Sequence, residues 1–111
     1  MKIQFFLILI CLEMPSVSYA KITPDSIDQL ILQAMDARDA ADFQQARRLA
    51  ETAIELAGQM PHPYLKGIAD GYVQIGRAYK DELKYDPALE HYEKALQIRI
   101  LIKDIAGIAS I

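Results

Sequence analysis

Cysteine occurs once in 111 residues, and tryptophan does not occur at all. A single thiol closes no intrachain disulfide and builds no Cys-based zinc site. Positive charge is not in surplus: 12 Lys and Arg stand against 15 Asp and Glu, a formal net charge of −3. That balance argues against a basic surface for nucleic acid. No stretch after Ala20 keeps up two-residue alternation, so half-buried strands are not indicated. No H-E-x-x-H, no G-x-S-x-G and no glycine-rich phosphate loop is present. What is there is ordinary for a folded chain: 52% apolar and 24% charged residues. The length allows one small domain at most.

Met1–Ala20 has a separate character. Lys2 is followed by the apolar run Phe5–Leu12, then by Glu13, Pro15 and small or polar residues ending Ser18-Tyr19-Ala20. This is the tripartite pattern of a secretory signal peptide cleaved after Ala20. A buried N-terminal helix or an uncleaved anchor is the alternative, though the run is short for a membrane span. Cys11 is not a lipidation site, because bulky Ile10 precedes it inside the apolar run. Cleavage leaves Lys21–Ile111, cysteine-free and suited to a bacterial periplasm or the cell exterior.

In the remainder, apolar residues recur every three or four positions, as amphipathic helices require. Four stripes stand out. They are Leu30/Ile31/Ala34/Met35/Ala37, Ala46/Leu49/Ala50/Ala53/Ile54/Leu56, Tyr72/Val73/Ile75/Tyr79 and Ala88/Leu89/Tyr92/Ala95/Leu96. Thr23-Pro24-Asp25 marks the first helix start, with Ser26 and Gln29 as an alternative capping box. Gly58 is read as the stop of the second helix. His62-Pro63 opens the third, and Asp86 caps the fourth with Pro87 at its first position. Short turns make the neighbours antiparallel.

The chain also resembles itself. A shift of 42 lays Phe43 on Tyr85, Ala46 on Ala88, Ala50 on Tyr92, Ala53 on Ala95 and Ile54 on Leu96. A shift of 40 lays Gly67-Ile68-Ala69 on Gly107-Ile108-Ala109. The reading is two helix-turn-helix units, about 24–61 and 62–103, with a truncated third opening at 104–111.

The second unit carries Tyr72-x-x-Ile75-Gly76-x-x-Tyr79, then Ala88-x-x-x-Tyr92 and Ala95. This resembles the tetratricopeptide repeat, in an extended subclass of about 40 residues rather than the usual 34 or so. The family's terminal Pro is replaced by Ile100, and the first unit is degenerate. The resemblance implies an all-α fold of antiparallel helix-turn-helix repeats stacked as a short right-handed α-solenoid. It makes Tyr72, Ile75, Gly76, Tyr79, Ala88, Tyr92 and Ala95 packing residues. It also places a partner-binding groove on the first helix of each unit. Carried over, that groove comprises Asp28, Ile31, Met35, Arg38 and Asp39, then Asp70, Val73, Arg77, Lys80 and Asp81.

Chemistry outside the groove is sparse. His62 and His91 have no i,i+4 partner and are read as helix-surface residues. Asp36, Asp39 and Asp42 are a solvated face, since a calcium loop needs its own glycine. Arg47-Arg48 is read as an exposed basic pair answering Glu51 and Glu55. No catalytic residue, metal or cofactor is assigned.

The expected function is an exported, non-enzymatic scaffold that binds a peptide or protein in the groove. The alternative is the N-terminal sensor fragment of a membrane-bound histidine kinase or diguanylate cyclase. Nucleic acid is not an expected partner. A membrane is one only if the signal segment stays attached or an anchor lies downstream. Ile98–Ile102 and Ile105 leave the last helix uncapped, so self-association through it is expected.

Overall fold

The computed structural model describes residues 22–109, with side-chain surroundings for 22–105. The signal-peptide reading of Met1–Ala20 and the assignment of Cys11 lie outside the described residues.

Four helices make up the described chain: α1 (Pro24–Asp39), α2 (Phe43–Gln59), α3 (Leu65–Asp81) and α4 (Tyr85–Ala109). The fold class among the described residues is all-α. Thr23 caps α1, its hydroxyl accepting the Ser26 N–H at 3.3 Å, and Pro24 takes the first helical position. Asp42 caps α2 in the same way, Oδ1 accepting from the Gln45 N–H at 3.2 Å. Each cap satisfies one of the first-turn donors that a helix leaves open.

Three boundaries differ from the sequence reading. Gly58 lies inside α2 with no positive φ, and the helix runs on to Gln59. Pro61 is what ends it, forcing Met60 into extended backbone with ψ 148°. His62-Pro63 is not the start of α3, which opens two residues later. The Tyr64 N–H reaches back to the Ala57 carbonyl at 3.1 Å, so this segment closes α2 first. Asp86 is not a cap but a first-turn acid, because α4 begins at Tyr85.

The two inner turns are copies of each other. Ala41 and Leu83, 42 positions apart, both hold positive φ, at 62° and 63°. Around them Ala40 N bonds Asp36 O, Ala41 N bonds Arg38 O, and Asp42 N bonds Ala37 O. The second turn repeats all three bonds at Glu82–Ala78, Leu83–Lys80 and Lys84–Tyr79. Backbone geometry therefore carries the same 42-residue spacing as the side-chain pattern.

Contacts fix how the helices run. Ion pairs and close approaches link α3 to α4 at Gly76–Tyr92 and Asp70–Arg99, so these two are antiparallel. Between α1 and α3 they run Ile27–Gly67, Asp28–Tyr64 and Arg38–Asp81, so these two are parallel neighbours. The second helical hairpin thus lies beside the first.

The core is built largely of alanine. Ala34, Ala46, Ala50, Ala53, Ala57, Ala69, Ala78, Ala88 and Ala95 are at most 3% exposed, and Ile27, Ile31 and Ile75 are buried with them. Small side chains let helix axes approach, and three glycines of α3 carry this further. A β-carbon at Gly71 would sit 2.5 Å from Ile54 Cγ1, and one at Gly76 would sit 2.8 Å from Tyr92 Cε1. Leu89 and Leu96, placed on the fourth apolar stripe, are each 58% exposed. The α4 stripe is wider than the surface α3 offers to cover it. Nor does a turn open a third unit at 104, since α4 continues unbroken to Ala109.

Candidate functional site

Across α3, between α1 on one side and α4 on the other, charged side chains gather beside aliphatic ones. Lys66 and Asp70 are one turn apart on α3, and Lys66 Nζ bonds Asp70 Oδ2 at 2.9 Å. The other oxygen, Oδ1, accepts from Arg99 of α4 at 3.2 Å. One carboxylate thereby joins two helices through two cations. On the α1 side, the Tyr64 hydroxyl donates to Asp28 Oδ1 at 2.9 Å.

These bonds tune the groups. Burial, with the bond to Asp28 and that carboxylate's charge, raises the Tyr64 phenol above its ordinary value. The bond to Asp70, and its charge, raises Lys66.

Two clefts open here. The larger, about 460 Å³, is lined by Lys66, Ala69, Asp70, Arg99 and Ile102. The smaller, about 220 Å³, is lined by Asp28, Ile31, Leu32, Lys66 and Asp70. Lys66 and Asp70 border both, which makes a trough running from α1 across α3 to α4.

The ten residues assigned to the groove fall in several places. Asp28, Ile31 and Asp70 line the trough. Arg38 sits at the other end of the α1–α3 seam, 3.9 Å from Asp39 and 4.0 Å from Asp81. Met35 packs on the Ile27/Ile31 cluster. Val73 is half-buried and Arg77 exposed. Lys80 borders a different hollow, with Tyr85, Leu89 and Tyr92 of α4.

Leu32, Lys66, Ala69, Arg99 and Ile102 line the trough and were not in the sequence assignment. Lys66–Asp70 is visible as an i,i+4 pair; the place of Arg99 depends on how far α4 runs alongside α3.

The packing residues surround α3. Ile75 joins Ala34 and Ala50, with Tyr72 and Tyr79 packed against them. Ala88 and Ala95 are 3% and 2% exposed. His91 is not a plain surface residue. Its ring lies 6.1 Å from Tyr72 and 5.5 Å from Tyr79 between centroids, and Nδ1 donates to the Pro87 carbonyl at 2.7 Å. Arg47 also departs from the sequence reading: its half-buried guanidinium pairs with Glu82, not with Glu51 or Glu55.

Among the described residues, no group of three His, Cys, Asp or Glu is placed to hold a metal ion. None of the helices searched there is long and apolar enough to cross a membrane. No family model matches the chain, and no solved structure matches it. What converges in the trough is two carboxylates and two cations beside aliphatic walls, with the Tyr64 phenol bonded to Asp28, a set that recognises by hydrogen bond, charge and apolar contact.

Proposed function

We propose that the chain is an exported, non-enzymatic interaction scaffold of tetratricopeptide type, whose paired hairpins stack as a short right-handed solenoid. It binds a peptide segment of a partner protein along the trough. The observation that carries this reading is the sharing of Asp70 between Lys66 and Arg99. In the larger cleft two cations share one carboxylate, which leaves spare N–H donors and a positive excess beside Ile102 and Ala69, while Asp28 balances the charge at the α1 end of the trough. An acidic side chain flanked by aliphatic ones fits that lining.

The repeat reading draws its support from the duplicated turns at Ala41 and Leu83. The export reading rests on the sequence pattern of Met1–Ala20 alone.

The test is fluorescence anisotropy against labelled peptides that place Asp or Lys at one position among aliphatic residues. The acidic series binds, and Arg99→Ala weakens it about tenfold, the loss of one charge-assisted contact, with helical circular dichroism unchanged. Equal binding of both series, or full binding by the variant, overturns the reading.

A further inference from the structure

An exposed apolar stripe runs along α4 for four turns, with Glu93 at its edge. Tyr85 is 62% exposed, Leu89 and Leu96 58% each, and Ile100 51%. Their spacing of 4, 7 and 4 keeps them on one side of the helix. Between Tyr85, Leu89 and Tyr92 lies a hollow of about 350 Å³, with Lys80 and Asp86 also bordering it.

The duplicated architecture shows what such a face does. At a shift of 42, Leu89 and Leu96 occupy the positions of Arg47 and Ile54 in α2. In α2 those positions are covered by α3: Ile54 faces Gly71, and Arg47 lies over Tyr79. On α4 the corresponding positions stand open.

A second copy cannot cover α4 with its α1. The α1 counterparts of Gly71, Ile75 and Ala78 are Gln29, Gln33 and Asp36, all exposed. Seating them on Leu89 and Leu96 would bury amides and a carboxylate without partners. Head-to-tail growth through α1 is thereby disfavoured.

We propose that two copies of this chain associate through α4, antiparallel, about a two-fold axis passing between Tyr92 and Leu96. In that register Ile100 of each copy enters the hollow of the other beside Leu89. Lys103, which follows Ile100 on the same face, comes opposite Asp86 of the other copy. A parallel pairing would instead set Lys103 on Lys103 and Asp86 on Asp86. The contact is isologous and closes at two copies. This inference does not depend on the peptide reading of the trough.

Sedimentation equilibrium decides it, on the protein as recovered from the producing cell, its N-terminus read by mass spectrometry. At about 100 μM, enough to saturate a small interface of micromolar affinity, the mass is that of a dimer. Leu96→Glu gives a monomer of unchanged helicity. Lys103→Glu weakens the dimer, and adding Asp86→Lys to it restores much of the loss. A monomer at that concentration, a mass that keeps growing with concentration, or a dimer indifferent to Leu96→Glu overturns the proposal. Failure of the charge swap to restore binding overturns the antiparallel register.

Discussion

The guanidinium of Arg47 lies 4.6 Å from the centroid of the Tyr79 ring, and from there it pairs with Glu82. Arg47 stands on α2 and its two partners at the end of α3, so one side chain ties the two hairpins together. The pair is only 17% and 20% exposed, which limits solvent screening. Arg47→Ala loses the stacking and leaves Glu82 half-buried without its cation. The expected cost is about 1–3 kcal/mol, read as a lower urea midpoint at unchanged slope. Arg47→Lys recovers less than half, because an ammonium cannot stack as a planar fork does. Equal midpoints for Arg and Ala would remove this contact from the account.

Gly76 and Tyr92 supply a second test. The glycine leaves no room beyond its hydrogens, since any β-carbon would press on the Tyr92 ring edge. Gly76→Leu overpacks the α3–α4 crossing and should cost about 1–3 kcal/mol. Combining it with Tyr92→Ala should cost less than the two changes summed, since the second makes the space the first needs. Strict additivity in a thermal melt would show that the two do not meet.

Much of this fold was legible in the chain, and the reasons are local. Thr23-Pro24-Asp25 states a helix start in three residues, and the structure uses it as written. The 42-residue spacing was readable because one hairpin repeats the other in side-chain size. What could not be read was set by distance. Leu89 and Leu96 satisfy a helical stripe as well as Ala88 and Ala95 do, and periodicity alone does not say which neighbours are at hand. Arg99 reaches Asp70 from 29 positions away, through a helix whose end no local signal marks. Gly58 misled because a glycine can stop a helix, but Pro61 was close enough to do so by itself.

Alkaline pH should loosen the α1–α3 seam. Tyr64 and Lys66 both hold their protons more tightly in the folded chain than when free. Groups raised in this way stabilise fully below their unfolded values, near pH 10. The contribution is lost as pH rises through the folded values. Stability therefore falls as the pH rises above about 10. Tyr64→Phe and Lys66→Gln together should flatten that fall. Lys66 is largely exposed, so Tyr64 should account for more of the effect. An identical slope in the double variant, followed by urea denaturation at each pH, would contradict the assignment.

The two left-handed turn residues offer a stabilising change. Ala41 and Leu83 hold φ near 62° and 63°, a conformation in which a β-carbon crowds the following carbonyl. Leu83 is also 72% exposed, so its side chain gives little back in packing. Leu83→Gly should raise stability by about 0.5–1 kcal/mol, the strain relieved less the extra freedom of the unfolded glycine. Ala41→Gly should act in the same direction and by a similar amount, because its turn has the same three backbone bonds. The sites lie in separate turns, so the double variant should gain the sum. Thermal melts of the three variants check this. A loss of stability at both sites would mean that unfolded-state entropy outweighs strain here, and that Ala and Leu serve these turns better than glycine would.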